Sequence, residues 1–263
     1  TILYNGLISG VGLDGKSFFY TNAMQIKNST THKDKEEARS GWFECSCCPT
    51  NVCRLLPSVP GYMYAQKDDN IFVNLFVNST ASLQVNNKGI TIEQQNNYPW
   101  DGNLKFIVGA KSALPFTMLM RIPGWAQNKV LPSDLYSFQN TGIQPVIIKV
   151  NGVAFEYSMK DGYAVINRTW KKNDVVEMNL PMEVKQVVTN EKVKGNLGLV
   201  SLQRGPLVYC AEWADNNGHT ANLVIPAPTS FTTEHKSNLL NGITVINGTA
   251  TAVITDAKNN SVK

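Results

Sequence analysis

The residues of this chain whose types and spacing best suit chemistry are its cysteines. Four of the five lie within nine residues, at Cys45, Cys47, Cys48 and Cys53, and the fifth is Cys210. An odd number with four crowded together is a poor framework for disulfides, and the adjacent Cys47 and Cys48 could bridge only with strain. Clustered thiols that do not pair usually bind a metal ion or act as nucleophiles. The cluster is therefore the first candidate site.

Zinc is a metal that a cysteine cluster suits. Coordination deprotonates a thiol, and a pair of cysteines can supply part of a tetrahedral ligand set. A structural zinc site built from all four clustered cysteines would have the spacing C-x-C-C-x4-C, without the two separated pairs that such sites usually have. That structural site stays open as an alternative, and so do inert cysteines. Cys53 and Cys210 are expected to be small buried hydrophobic residues.

The elements that must position the cluster begin with a helix. Residues 50–65 carry the one clear helical pattern, with apolar side chains at Val52, Leu55, Leu56, Val59 and Met63. Thr50 or Asn51 can cap its start, and Pro57 and Pro60 predict that it is short or kinked. The adjacent thiols then precede a helix N-terminus, whose N–H groups and dipole favour thiolate over thiol.

After residue 70 the apolar period changes to two, which predicts β-strands. The predicted strands cover residues 71–77, 82–85, 90–93, 104–108, 116–122, 146–150, 163–166, 175–180, 184–189, 197–202, 207–210, 243–246 and 250–254. Short turns rich in Asn, Asp and Gly separate many of them, and residues 126–144 have the pattern of a long loop. Many short strands without intervening helices predict a mainly β fold with antiparallel β-sandwiches.

Composition excludes several classes of protein. The chain has 263 residues, enough for two domains, and 43% of them are apolar while 17% are charged, which excludes a disordered tail. The net charge of +4 comes from scattered residues and does not indicate a nucleic-acid partner. No stretch approaches the roughly 18 apolar residues of a membrane span, so no span is expected. The chain begins with Thr1 and is expected to be a piece of a longer protein.

Several motifs together carry a resemblance to a known family. The most specific is Cys45-Ser46-Cys47-Cys48-Pro49-Thr50-Asn51, followed by Arg54-Leu55 and Tyr62-Met63-Tyr64. Others occur along nearly the whole chain, among them Tyr4-Asn5-Gly6, Leu13-Asp14-Gly15-Lys16, Phe18-Phe19-Tyr20 with Asn22, Arg121-Ile122-Pro123-Gly124-Trp125, Val150-Asn151-Gly152, Gly162-Tyr163, Leu180-Pro181-Met182 and Gln203-Arg204-Gly205-Pro206-Leu207-Val208-Tyr209-Cys210 with Glu212. This set resembles glycoside hydrolase family 127, the β-L-arabinofuranosidases, formerly domain of unknown function 1680, and is similar to the related family 146.

The resemblance implies a domain organisation. Members of the family have an (α/α)6 barrel followed by β-sandwiches. Residues 1–66 would be the last loops and the last helix of the barrel, which carry the cysteine cluster. Residues 67–186 would form one β-sandwich, and residues 187–263 would form part of a second, truncated one.

The resemblance also implies a mechanism, retaining glycoside hydrolysis with a cysteine nucleophile. Cys47 would attack the anomeric carbon, and Cys47 and Cys48 would both bind Zn²⁺, which holds Cys47 as thiolate. The acid/base glutamate and the other zinc ligands of the family lie upstream of this chain. The chain alone is therefore expected to be inactive and to bind zinc weakly. Glu44 is expected to be a solvated loop residue.

Other residues and other functions stay open at this stage. Trp42 could line a sugar subsite or pack beneath the cysteine loop. Trp100, Trp125, Trp170 and Trp213 are expected to anchor the core or edges of the sandwich, although exposed ones would suit a non-catalytic carbohydrate-binding module. A zinc-stabilised structural domain is a third possibility. His32, His219 and His235 fall in polar loops and are weak metal candidates.

The expected partner is a carbohydrate, β-L-arabinofuranose or a related sugar of plant-type glycans, and two copies could pair through their sandwiches. The resemblance also suggests a bacterial exported or cell-envelope enzyme.

Overall fold

The computed structural model describes residues 1–19, 39–45, 47–139, 142, 144–212, 216 and 220–253, with Cys48 described by its backbone alone. The chain divides into two compact units. One consists of Thr1–Val52 with Leu207–Lys263, and the other is Cys53–Pro206. The prediction of a mainly β fold with antiparallel sheets is confirmed. Among the described residues, no helix is long and apolar enough to cross a membrane.

The helices are short, and the α-helices lie in the first quarter of the chain. A π-helix covers Leu3–Leu7, and α-helices α1 and α2 cover Cys47–Leu55 and Pro60–Met63. Short 3-10 helices cover Ile8–Gly10, Leu56–Ser58, Gly124–Gln127 and Lys194–Asn196.

Strands make up most of the remaining regular structure. In chain order they are β1 (Tyr64–Lys67), β2 (Asn70–Val73), β3 (Ser79–Val85), β4 (Lys88–Asn96), β5 (Asn103–Ala110), β6 (Leu114–Arg121), β7 (Tyr136–Phe138), β8 (Ile147–Val150), β9 (Val153–Ala154), β10 (Ser158–Lys160), β11 (Tyr163–Trp170), β12 (Asp174–Asn179), β13 (Val184–Thr189), β14 (Val200–Arg204), β15 (Leu207–Tyr209), β16 (Leu223–Val224), β17 (Thr232–Lys236), β18 (Ile243–Asn247) and β19 (Thr251–Ala252).

The unit Cys53–Pro206 contains two large sheets. One has the strand order β1-β2-β6-β11-β10, and the other has the order β3-β4-β5-β12-β8-β9. Antiparallel pairing prevails, but β2 runs parallel to β6, with Ile71 opposite Met118. β13 pairs with β14 and β7 to extend the unit.

Buried and exposed residues alternate along the strands, and the buried ones form the core of this unit. In β5, Leu104, Phe106 and Val108 are buried and their neighbours are more exposed, which is the pattern of a sheet with one face turned inward. Trp170 is fully buried, stacks on Phe116 at 5.4 Å between ring centroids, and donates its indole N–H to the Phe116 carbonyl at 3.0 Å. The expectation that Trp125 and Trp170 anchor the sandwich is therefore confirmed, while Trp213 lies outside the described residues.

Some strands were not predicted from the apolar pattern of the sequence. β7 lies within residues 126–144, which were expected to form a loop, and β17 places the predicted loop residue His235 in a strand. Both strands are short or fully exposed, so they carry little apolar alternation by which a sequence could reveal them. His32 and His219 lie outside the described residues.

The unit of Thr1–Val52 with Leu207–Lys263 joins the two ends of the chain. Asn5 accepts a hydrogen bond from the Val208 N–H through its Oδ1 at 2.8 Å, and its Nδ2 donates to the Thr1 carbonyl at 2.7 Å. Tyr209 donates its hydroxyl to the Thr244 carbonyl at 2.9 Å, which connects β15 with the antiparallel pair β17–β18. Two of the sequence motifs, Tyr4-Asn5-Gly6 and the one that includes Val208, therefore meet in space.

Candidate active site

The cysteine cluster lies at the start of α1. The helix begins at Cys47, so the prediction that Thr50 or Asn51 caps it is wrong. Instead the Thr50 hydroxyl and the Asn51 amide both donate to the Cys47 carbonyl, at 2.9 and 2.8 Å. Pro49 is accommodated because the N–H groups of a first helical turn have no intrahelical acceptor to lose. Cys47 and Cys48 thus belong to the first turn itself.

The end of α1 agrees with the sequence. α1 stops at Leu55, a 3-10 turn with Pro57 follows, and α2 restarts at Pro60. Proline removes a backbone donor and clashes with the preceding turn, which interrupts a helix but suits a new first turn. The predicted short or kinked helix is confirmed, and it holds the thiols on a short, well-defined segment.

Two thiols of the cluster touch. The sulfurs of Cys45 and Cys47 lie 3.6 Å apart, and both residues are exposed. Only one residue separates them in the chain. The side chain of Cys48 lies outside the described part of the structure.

Trp42 precedes the thiols on a braced turn. The Ser40 hydroxyl donates to the Trp42 carbonyl at 2.9 Å and accepts from the Trp42 N–H at 3.4 Å. The next residue, Phe43, packs on Phe18 with 5.3 Å between ring centroids. Trp42 itself is 72% exposed, so it does not pack beneath the loop in this chain. The exposed indole can offer a flat apolar face to a ligand.

The remaining cysteines are also placed at the surface. Cys53 and Cys210 are both exposed, so the expectation that they are buried hydrophobic residues is wrong. Cys53 falls on α1 after the first turn, and Cys210 directly follows β15. In both cases apolar neighbours in the sequence suggested burial that the fold does not provide.

Glu44 is the acidic residue next to the cluster in sequence. Glu44 is exposed, as expected for a solvated loop residue. Within the described ranges, no group of three or more His, Cys, Asp or Glu side chains comes together as a metal site. Elsewhere in the same unit, burial raises the pKa of the Tyr4 phenol to about 12, so Tyr4 is neutral at physiological pH.

A surface depression of about 200 Å³ lies on the sandwich and is lined by polar strand residues that include Asn103, Lys105, Lys149 and Glu177. It contains none of the cysteines.

Sequence reasoning did not find two features of the site region. The contact between Cys45 and Cys47 has no periodic signature in the sequence. The hydrogen bond from the Val208 N–H to Asn5 joins residues 203 positions apart. The only signal in the sequence was that both residues lie in motifs of the same family.

Comparison with known protein families identifies three consecutive matches. Residues 1–61 match the catalytic domain of the family 127 β-L-arabinofuranosidases. Residues 70–182 match the middle domain of that family, and residues 184–253 match the C-terminal domain of glycoside hydrolase family 127.

Individual relatives agree with these matches. The non-reducing end β-L-arabinofuranosidase of Bifidobacterium longum subsp. longum is 34% identical over 233 residues, which are 84% of this chain and 32% of that protein. A solved family 127 β-arabinofuranosidase superposes with a TM-score of 0.91 at 42% identity, over 99% of this chain and 40% of the other. Ara127N-Se, a family 127 β-L-arabinofuranosidase from Geobacillus stearothermophilus T6, gives a TM-score of 0.85 at 36% identity, over 99% of this chain and 39% of the other. The chain thus spans only about a third to two fifths of the length of these relatives.

Proposed function

The chain belongs to glycoside hydrolase family 127, and from that premise we propose that it is the C-terminal part of a retaining, zinc-dependent glycosidase with Cys47 as its nucleophile. The proposed substrate is β-L-arabinofuranose, or a related sugar, at the end of a plant-type glycan. The relatives are β-arabinofuranosidases, which supports a furanosidase. The proposed domains are the barrel end at residues 1–66, a sandwich at 67–186 and part of a second at 187–263.

The observation that carries this proposal is the position of Cys47. Its thiol is exposed at the first turn of α1, and its backbone carbonyl is held by Thr50 and Asn51. A nucleophile must be accessible to substrate and fixed in orientation, because misplacement of the reacting atom lowers the rate steeply. The exposed thiol and the hydrogen-bonded backbone of Cys47 support this assignment.

The donor set of the cluster suits zinc. Thiolates are soft ligands that zinc binds well, and Cys47 and Cys48 would supply two of them. When bound, zinc would keep Cys47 as thiolate at neutral pH. The other ligands, a glutamate and a cysteine in the family, are proposed to come from the preceding part of the protein.

The proposed reaction has two steps. In the first, the sulfur of Cys47 bonds to the anomeric carbon while the glycosidic bond breaks, and an acid protonates the leaving oxygen. In the second, the same group now acts as a base and takes a proton from water, the water oxygen bonds to the same carbon, the carbon–sulfur bond breaks, and its electron pair returns to Cys47. The sugar is released with its original configuration. Trp42 is proposed to line the sugar subsite, since its exposed indole lies next to the cluster in sequence.

The alternative of a non-catalytic carbohydrate-binding sandwich finds less support. Such modules stack sugars on exposed aromatic rings. Trp125 and Trp170 are instead 7% and 0% exposed, and Trp100 is half-buried. The described part of the sandwich thus offers no fully exposed tryptophan for stacking.

A comparison of variants of the full-length parent tests the proposal. Hydrolysis of a chromogenic β-L-arabinofuranoside would be measured for wild type, Cys47→Ser and Cys210→Ser, with zinc content determined for each. We expect Cys47→Ser to lose roughly 10³-fold or more in turnover, with zinc largely retained. Cys210→Ser, an exposed cysteine outside the cluster, should keep wild-type turnover. Substantial turnover by Cys47→Ser would refute the nucleophile.

A further inference from the structure

The contact between the two thiols before and at the start of α1 has a chemical consequence. The sulfurs of Cys45 and Cys47 are 3.6 Å apart and both side chains are exposed. A disulfide bond is about 2.05 Å long, so the two sulfurs must approach by about 1.5 Å to join. In this chain both residues are open to small oxidants from solvent.

We propose that Cys45 is a resolving cysteine, which captures oxidised Cys47 as a Cys45–Cys47 disulfide when the protein meets hydrogen peroxide. The regulatory meaning rests on the proposed function, because it is the nucleophile that the disulfide removes from action. The modification itself is a reaction between the two thiols, and it can be detected whether or not the protein hydrolyses an arabinofuranoside.

The chemistry balances without any further reactant. The Cys47 thiolate attacks one oxygen of hydrogen peroxide, a sulfur–oxygen bond forms, the oxygen–oxygen bond breaks, and hydroxide leaves and takes a proton to become water. The thiolate of Cys45 then attacks the Cys47 sulfur, which forms the sulfur–sulfur bond and breaks the sulfur–oxygen bond, and a second water is released. The two sulfurs lose two electrons, and the peroxide gains them.

The geometry favours a disulfide that can be reversed. Cysteines separated by one residue close a small ring, which strains the bond, and strained or exposed disulfides are the labile ones. Without a neighbouring thiol, a sulfenic acid proceeds to sulfinic acid, which ordinary reductants do not restore. Cys45 therefore protects the Cys47 sulfur from irreversible loss.

The matched experiment uses the full-length protein in four forms: wild type, Cys45→Ser, Cys45→Ala and Cys210→Ser. Each would be treated with hydrogen peroxide and then with dithiothreitol, and hydrolysis would be followed before and after each step. We expect wild type and Cys210→Ser to lose activity and regain most of it. Both Cys45 variants should lose activity several-fold or more and regain little.

A second readout needs no activity. Trypsin releases residues 40–54 as one peptide, because the sequence has no Lys or Arg between Arg39 and Arg54. After alkylation of the oxidised wild type, this peptide should carry the label on Cys48 and Cys53 only, and should lack two hydrogens. Dithiothreitol before alkylation should restore labelling of all four cysteines.

Each result decides the proposal separately from the enzymatic function. A peptide labelled at Cys45 after oxidation, or a Cys47–Cys48 bridge, would overturn it, as would full recovery of activity in the Cys45 variants. If the protein hydrolyses no arabinofuranoside, the labelling pattern still supports or refutes the disulfide. If it does hydrolyse one but the bridge is absent, only this inference fails.

Discussion

The carboxylate of Asp174 joins three neighbouring groups at the start of β12. It accepts hydrogen bonds from the Asn151 amide and the Lys171 backbone N–H, both at 2.9 Å, and pairs with Arg168 at 3.4 Å. Burial alone would raise the pKa of Asp174, but these hydrogen bonds and the charges of Arg168 and Lys171 outweigh it and hold the pKa below its usual value. The side chain is therefore a pH-dependent source of stability for the sandwich.

Replacement of this carboxylate should destabilise the sandwich at neutral pH. In Asp174→Asn, the new NH₂ group would face N–H groups that now donate hydrogen bonds to the carboxylate. We therefore expect a loss of about 1–3 kcal/mol in the free energy of unfolding. Because the pKa of Asp174 is lower in the folded state, the stabilisation is complete above the unfolded pKa of about 3.9 and is lost as the pH falls toward the folded value. The difference between the two proteins should therefore shrink below about pH 4.

Urea unfolding at several pH values, followed by tryptophan fluorescence, measures this difference. Asp161→Asn is the matched control, since Asp161 is exposed in a turn with a positive φ of 50°, which Asn also tolerates. A gap between wild type and Asp174→Asn that is constant from pH 7 to pH 3 would contradict the prediction.

Residue-scale chemistry was partly predictable from the sequence. The crowding of Cys45, Cys47 and Cys48 identified the candidate site, because residue types and spacing are visible without a fold. The exposure of Cys53 and Cys210 was not predictable, since burial depends on which other segments cover a position. The contact of Cys45 with Cys47 also required the loop conformation.

At the scale of elements, close approach between the segment before β5 and the end of β12 depends on a glycine. A Cβ added at Gly102 would lie 2.0 Å from the Leu180 carbonyl oxygen, and the Leu180 N–H donates to the Gly102 carbonyl at 2.9 Å. Both contacts are with backbone, which cannot rotate away. The Asp101-Gly102-Asn103 turn visible in the sequence is thus also a packing requirement.

We expect Gly102→Ala to destabilise the sandwich by about 1–3 kcal/mol, because the strands must separate to admit the methyl group. Gly89→Ala is the matched control, since Gly89 is the second residue of β4 and has nothing within 4 Å of an added Cβ. That control should be neutral or stabilising by up to about 1 kcal/mol, because alanine restricts the unfolded chain. Chemical denaturation of both variants checks the prediction, and equal effects of the two substitutions would contradict it.

Elements with strong apolar periodicity were the predictable ones. β13 has the bounds that the pattern predicted, and β5, β6 and β12 differ from it by only a few residues. The predicted start of α1 was three residues too late. Its first turn contains Pro49 and two cysteines, which do not show the apolar spacing of a helix. The parallel pairing of β2 with β6 was not visible, since partner choice depends on contacts distant in sequence.

At the scale of the whole molecule, the class and family followed from strand count and motifs, whereas the arrangement of strands in sheets did not. The order β3-β4-β5-β12-β8-β9 inserts β12 between β5 and β8. Turns fix neighbours only for hairpins, so such an insertion leaves no local trace. The chain covers 32% to 40% of the length of each relative described above, and this share could likewise not be predicted from the sequence alone.

The partial length leads to a prediction about the chain by itself. We expect the isolated 263-residue chain to show no arabinofuranosidase activity and to retain well under one zinc ion per molecule after desalting, because two ligands rarely make a closed site. Metal analysis of the chain beside the full-length parent measures this, and circular dichroism of the chain controls for folding. Stoichiometric zinc in a folded isolated chain would contradict the prediction.

The measurement that tests the central claim most directly is the location of the covalent sugar in the full-length parent. The protein would be mixed with an activated β-L-arabinofuranoside, quenched in acid during turnover, and digested with trypsin. We predict that the peptide of residues 40–54 carries one anhydropentose unit and that fragmentation places it on the sulfur of Cys47. A sugar found on any other residue would contradict the account.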